Sequence, residues 1–322
     1  MGDQSPVTLG EIKAARERIS NTVLRTPLVR LNVDYAPADI YLKLENLQPI
    51  GSFKLRGAAN LILQTDREKL QNGIWTASAG NMAQGAAWCA RKLGIPCTVV
   101  VPDTAPQTKR DAVERLGGRI IPVPFDQWME VFETRAFPGM GGLFVHAFAD
   151  PAVMAGNGTI GLEILEDLPD VDTVVIAFGG GGLSSGIASA IRALKPVVKI
   201  YAAEVETAAP LAASLAAGKL TEVEYIPSFV DGIGARKVFP DMWPLVQKLL
   251  DGSLVSTVEE IAASVRLLAE RNRIIAEGAG AASVAAAIAG KAGNGKVVCI
   301  VSGGNIDSGK LAKILRGEVP IC

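Results

Sequence analysis

Short apolar runs alternate along the chain with longer segments in which apolar residues recur every three or four positions. The first pattern predicts strands and the second predicts helices packed by one face. Strands are expected at DIYLKLE (39–45), GIWTAS (73–78), CTVVVP (97–102), RIIPVP (119–124), LFVHAF (143–148), TVVIAF (173–178), KIYAAEV (199–205) and KVVCIVS (296–302). Helices are expected at 81–93, 105–117, 151–167, 183–194, 257–271 and 277–290. An opening helix running to about Ser20 is signalled by Thr8 and Glu11, which have capping-box spacing, as do Thr257 and Glu260; Asp150 followed by Pro151 marks another helix start. Apolar strands alternating with helices predict an α/β protein with parallel sheets covered on both faces. The Ala-rich segment 276–290 reads as a tightly packed core helix.

Composition narrows the function classes. With 322 residues, 49% of them hydrophobic, the chain can bury a large core without staples. A formal net charge of −1 supplies no basic excess for nucleic acid or anionic lipid, so a small neutral or zwitterionic ligand fits better. Cys89, Cys97, Cys299 and Cys322 show no metal-ligand spacing, and neither a signal peptide nor an uncharged run long enough to span a membrane is visible. A reduced, cytoplasmic chain is expected. His146 is the only histidine, which excludes histidine-rich zinc sites and multi-histidine relays.

Ligands of open α/β sheets bind where strands end and loops enter helices. Four such loops carry candidate chemistry. In VVIAFGGGGLSSGIASAI, Gly179, Gly180, Gly181 and Gly182 leave backbone amides free to converge on an anion at a helix start, a phosphate cradle. A nucleophile elbow around Ser184 fails for want of a downstream histidine. A nicotinamide dehydrogenase stays open as an alternative because Glu204 and Glu206 end the next strand, although no register satisfies G-x-G-x-x-G. In ENLQPIGSFKLRGAAN, Lys54 stands at a helix start, where positive charge is disfavoured and an amine can form a Schiff base. In WTASAGNMAQG, Ser78, Gly80, Asn81 and Gln84 offer donors suited to a carboxylate, or else caps for the helix that follows. VVCIVSGGNID places the Ser302 hydroxyl at a strand end.

In this order and spacing, the four loops resemble the fold-type II pyridoxal-phosphate family, specifically its threonine dehydratase and serine racemase branch. The similarity spans nearly the whole chain. It implies a tryptophan synthase β-like fold: two open, twisted, parallel-sheet domains with the cofactor in the cleft between them. Residues 1–72 and 148–322 would form the large domain, and 73–147 a small mobile one. By the same resemblance Lys54 would bond pyridoxal phosphate covalently, Phe53 pack on its ring, and Asn81 meet its phenolic oxygen. Gly179 to Gly182 and Leu183 would bind its phosphate, Gly232 line the ring, and Ser302 meet the pyridine nitrogen. Ser78, Ala79, Gly80, Asn81 and Met82 would receive the substrate carboxylate. The implied activity is removal of the hydroxyl and amino groups of a β-hydroxy-α-amino acid, giving a 2-oxo acid and ammonia, with Lys54 taking the Cα proton.

Departures from the family pattern refine the expectation. Ala79 stands where racemases of this branch carry a serine, which favours elimination over the alternative of an amino-acid racemase. Met82 replaces the histidine of S-A-G-N-H-A-Q-G. It is expected either to widen the site toward an aryl substrate such as 3-phenylserine or to be neutral. Glu204 matches one ligand of a divalent cation found in some members, but Pro210 takes the second position, so no metal site is expected. A silent ligand-binding protein would require loss of Lys54 or of the glycine loop, and both are present. A homodimer is expected from the resemblance and from the prevalence of symmetric dimers.

Overall fold

The computed structural model describes residues 5–321; Met1 to Gln4 and Cys322 lie outside them. From the N-terminus, α1 (Leu9–Ile19) leads to β1 (Leu28–Arg30) and β2 (Asp39–Leu44), then to α2 (Lys54–Gln64) and the single turn α3 (Arg67–Leu70). There follow β3 (Ile74–Ala77), α4 (Asn81–Leu93), β4 (Cys97–Pro102), α5 (Gln107–Arg115), β5 (Arg119–Val123), α6 (Phe125–Thr134) and β6 (Leu143–Phe144). The remainder runs α7 (Pro151–Asp167), β7 (Thr173–Ala177), α8 (Gly182–Leu194), β8 (Lys199–Val205), α9 (Pro210–Ala217), α10 (Trp243–Leu249), β9 (Gly252–Ser256), α11 (Val258–Leu267), α12 (Gly278–Ile288), β10 (Lys296–Val301) and α13 (Ser308–Leu315).

The strands form two sheets, β1-β2-β10-β7-β8-β9 and β5-β4-β3-β6. Every pairing is parallel except that of β1, an edge strand antiparallel to β2. The expected α/β class with parallel sheets is what the chain adopts. In the larger sheet, β10 inserts between β2 and β7, so the carboxyl ends of these three strands lie side by side where the strand order reverses. That is where an open α/β sheet leaves a crevice.

Helix starts follow the local chemistry. Thr8 with Glu11 and Thr257 with Glu260 form complete capping boxes, and Asp150 caps α7 by accepting from the amides of Ala152 and Val153. The expected strand at 143–148 closes after Phe144. The backbone turns because the His146 Nδ1 accepts the N–H groups of Phe148 (3.2 Å) and Ala149 (2.9 Å). The helix expected over 257–271 also ends early, at Leu267, and continues as a π-helical turn to Asn272. Strands β1 and β9 and helices α3, α6, α9, α10 and α13 had no counterpart among the expected elements.

Close approach of α2, α7 and α8 depends on missing side chains. A Cβ on Gly156 would collide with the Arg56 carbonyl, and one on Gly186 with that of Met154. Behind α2 sits a buried ionic network. Arg56 donates to Glu45 (2.8 Å) and Glu163 (2.7 Å), while Lys43 pairs with Glu163 (2.7 Å) and donates to the Thr26 carbonyl. All four charged residues are buried. Burial alone would raise the Glu45 carboxyl, but the Arg56 guanidinium outweighs it and holds the group below the usual range. These bonds join β2 and α7 to the helix whose first residue is Lys54. On the other face of the large sheet, α12 is buried along nearly its whole length, as expected for the Ala-rich segment.

Candidate active site

The loops after β2, β7 and β10 meet in one cleft because those strands are neighbours. Backbone bonds staple two of them together: Phe53 N–H donates to the Ser302 carbonyl (3.0 Å) and Gly304 N–H to that of Gly51 (2.9 Å). Lys54 is the first residue of α2, where no side chain caps the helix. Its Nζ donates to the Ala147 carbonyl at 2.7 Å and lies 5.0 Å from the Phe53 ring centroid. Burial pushes the Lys54 amine down to about 8, against the opposing charge of Glu277. A group so shifted carries a useful neutral, nucleophilic fraction near neutral pH.

The glycine loop forms the cleft's anion-binding wall. Among the described residues, the backbone amides of Gly179, Gly180 and Gly181 donate to no protein acceptor. Gly181 adopts φ +88°, a left-handed conformation, as the residue that opens α8. A Cβ on Gly180 would come within 2.6 Å of Cε1 of Phe148, and one on Gly182 within 2.6 Å of the Phe148 carbonyl. Asn157 steadies the loop from behind, donating to the Gly182 carbonyl at 3.2 Å. Free convergent amides at a helix N-terminus are the donor set of a phosphate site.

Phe53, Lys54, Asn81, Gly179 to Gly182, Leu183, Gly232 and Ser302 all line this cleft, together as the motifs anticipated. Ser78, Ala79 and Gly80 lie in the turn immediately before Asn81 and are half-buried. Gly80 caps α4 without a side-chain bond; instead Ser78 Oγ accepts the Gly80 N–H at 3.2 Å. Capping by Ser78 or Asn81 is therefore not what the loop is used for. Of the two readings of Met82, a widened site or a neutral change, the side chain's position favours the second. Its side chain is 1% exposed and packs in the main hydrophobic core, because position 82 falls on the inner face of α4.

Several residues of the cleft went unanticipated: Phe148, Ala177, Ile233, Glu277 and Ala279. Glu277 accepts from Asn81 Nδ2 (2.8 Å), and Asn305 Nδ2 donates to Asn81 Oδ1 (2.7 Å). Burial, reinforced by the charge of Asp231, raises the Glu277 carboxyl to about 7. Its only sequence signal is a carboxylate just before an Ala-rich helix. His146, though close to Lys54, is driven down to about 3 by burial and by the Arg135 and Lys54 charges, so it is neutral across ordinary pH. Its role is to shape the turn that presents the Ala147 carbonyl. Glu204, the candidate cation ligand, accepts the amides of Leu211 (2.9 Å) and Ala212 (2.8 Å) and the Ser253 hydroxyl (2.6 Å). It serves as an anchor for the start of α9.

Residues 19–303 match the sequence model of a family described as pyridoxal-phosphate dependent enzyme. The L-threonine ammonia-lyase of Thermotoga maritima is 43% identical over 315 residues, which cover 96% of this chain and 78% of that protein. The catabolic L-threonine dehydratase TdcB of Staphylococcus aureus (strain USA300) is 39% identical, with 96% and 92% covered. A solved structure of maize serine racemase superposes with a TM-score of 0.86 at 32% identity, covering 97% of this chain and 98% of that one.

Proposed function

The chain belongs to the pyridoxal-phosphate dependent enzymes, and from that premise we propose that it eliminates water from L-threonine and L-serine, releasing a 2-oxo acid and ammonia. The observation that carries this reading is Lys54, a half-buried amine with a pKa lowered to about 8 that shares one cleft with an unclaimed set of backbone amides.

The residues present fit the cofactor. Free amides of the glycine loop suit a phosphate dianion, and a side chain at Gly180 or Gly182 would push the loop off Phe148. Lys54 would carry the covalent bond, Phe53 and Gly232 would flank the ring, Asn81 would donate to the ring oxygen, and Ser302 would face the ring nitrogen with a neutral hydroxyl. Bound there, pyridoxal phosphate supplies an electron sink for the bonding electrons of the substrate Cα–H. Lys54 is the base that removes the Cα proton. The turn 78–82 and the uncapped start of α4 would receive the substrate carboxylate. Position 79 contributes only a methyl group, which cannot carry a proton, and this supports elimination over racemisation. The inward-turned Met82 supports an ordinary threonine or serine pocket over one widened for an aryl group.

On the same reading, the segment 73–147 closes over substrate and expels water. Its links to the rest of the chain near the cleft include Asn81 and the Lys109–Asp231 ion pair (2.9 Å). Assembly as a homodimer is carried over from the resemblance and from the frequency of symmetric dimers. No helix among the described residues is long and apolar enough to cross a membrane.

The test is 2-oxo acid release from equal concentrations of L-threonine, L-serine and L-threo-3-phenylserine, with D-serine formation followed in parallel. Threonine should turn over fastest, and Lys54→Ala should abolish both turnover and the visible absorption of the bound cofactor. Faster turnover of phenylserine would replace the proposed substrate with an aryl one, and D-serine formation exceeding elimination would replace the reaction.

A further inference from the structure

The Asn81 side chain is held at both ends. On one side its Nδ2 donates to Glu277 Oε1 at 2.8 Å; on the other its Oδ1 accepts from Asn305 Nδ2 at 2.7 Å. Asn305 Nδ2 also donates to the Ile50 carbonyl at 2.8 Å. Glu277 is fixed in turn, since its backbone N–H donates to the Gly303 carbonyl at 3.0 Å. Gly303 must remain glycine for this, because a Cβ there would stand 2.5 Å from Glu277 Oε1. A primary amide has a donor end and an acceptor end of nearly the same shape, and an unrestrained one can present either. Here a carboxyl faces the donor end and an amide N–H faces the acceptor end, so a flipped Asn81 would lose the bond to Asn305 and, with Glu277 ionised, the bond to Glu277 as well. Nδ2 keeps a second hydrogen beyond the one given to Glu277, and Asn81 and Glu277 both line the cleft.

We propose that Glu277 and Asn305 are positioning residues for the cofactor ring: they clamp Asn81 so that its N–H edge, not its oxygen, meets the ring oxygen. The inference rests on the reading of the cleft as the pyridoxal-phosphate site and deepens it. Glu277 also brings a titratable charge next to that oxygen. The groups that face it are Asp231, whose charge raises it, and Asn81, Lys109 and Lys54, which oppose the rise; Lys109 is itself paired with Asp231 at 2.9 Å. With its carboxyl near 7, Glu277 is largely neutral at pH 6 and largely ionised at pH 8. Its ionisation strengthens its hold on Asn81 and would bring a negative charge toward the ring oxygen that Asn81 would meet.

The experiment uses purified protein with added pyridoxal phosphate, and reads cofactor affinity and the pH dependence of the bound cofactor's absorption spectrum. Glu277→Leu should weaken cofactor binding about tenfold, the loss expected for one charge-assisted hydrogen bond. Glu277→Gln keeps an acceptor for Asn81 and should restore most of that affinity, yet lose the spectral change between pH 6 and 8. Asn305→Asp opposes the acceptor end of Asn81 with a second acceptor and should weaken binding like Glu277→Leu; it also serves as the test if the leucine variant does not fold. Wild-type affinity in Glu277→Leu or Asn305→Asp, or a wild-type pH response in Glu277→Gln, overturns the proposal. A wild-type protein without a cofactor band that disappears in Lys54→Ala overturns the reading of the cleft itself, a distinct failure.

Discussion

Gly180→Ala adds one carbon where the structure has no room for it. The new Cβ would overlap Phe148 Cδ1 and Cγ and stand 2.6 Å from Cε1, whereas ordinary contact begins at 3.4 Å, so something must move by more than about 0.8 Å. Phe148 cannot yield easily: it is 8% exposed and packed against Phe239 (4.7 Å between ring centroids) and His146 (4.6 Å). The glycine loop must move instead, carrying its free amides with it. Hydrogen bonds weaken steeply beyond about 3.2 Å, and a bond to a charged group contributes about 1.5–3 kcal/mol. Losing roughly half the strength of three such bonds removes about 3 kcal/mol, which is about a hundredfold in cofactor affinity. Titration of the protein with pyridoxal phosphate, followed by absorbance, measures it. Phe148→Ala in the same chain takes away the obstructing atoms, Cγ included, and should return part of the affinity, a positive coupling between the two sites. A Gly180→Ala protein that binds within threefold of wild type, or a double variant that recovers nothing, would refute the claim that the loop works through its closeness to Phe148.

Two further outcomes follow from the charges around Lys54. Glu163→Leu leaves Lys43 and Arg56 buried with Glu45 as their only buried carboxylate, and should cost about 3–5 kcal/mol of stability in a denaturant melt, the usual penalty for an uncompensated buried charge; a cost below about 1 kcal/mol would show that water reaches the network. The rate at which cofactor-free protein captures pyridoxal phosphate should follow the neutral fraction of Lys54. With its amine near 8 instead of the usual 10.5, the rate rises about fivefold from pH 7 to 8 and less than twofold from 8 to 9; a rise of about tenfold per unit from pH 7 to 9 would place the amine at its unperturbed value.

How much of this fold was legible in the sequence depended on whether local signals agreed with one another. Strands β4 and β8 have the bounds their apolar runs predicted, as does α7, which begins at a Pro after a capping Asp. The missed strands β1 and β9 are short, lie at the two edges of the large sheet and are only partly buried, so their sequences carry little apolar pattern. The overextended strand at 143–148 failed for the opposite reason. Its apolar pattern is strong, but those side chains pack around a turn, and the deciding bonds run to a histidine nitrogen that sequence periodicity does not report.

The site divides along the same line. Its glycines and Lys54 were legible because each is an exception that local structure does not explain: four glycines in a row are costly in chain entropy, and a lysine opening a helix stands against the dipole. Glu277 and Asn305 are ordinary in their local settings, a carboxylate before a helix and an asparagine in a loop. They gain meaning only through Asn81, which lies 196 positions from one and 224 from the other. Met82 shows the converse. Its departure from the family pattern was visible in the sequence, but what that departure means depends on the face of α4 to which it belongs, and that face packs into the core. An unusual residue in a motif therefore indicates where to look, while the direction of its side chain decides whether substrate can meet it.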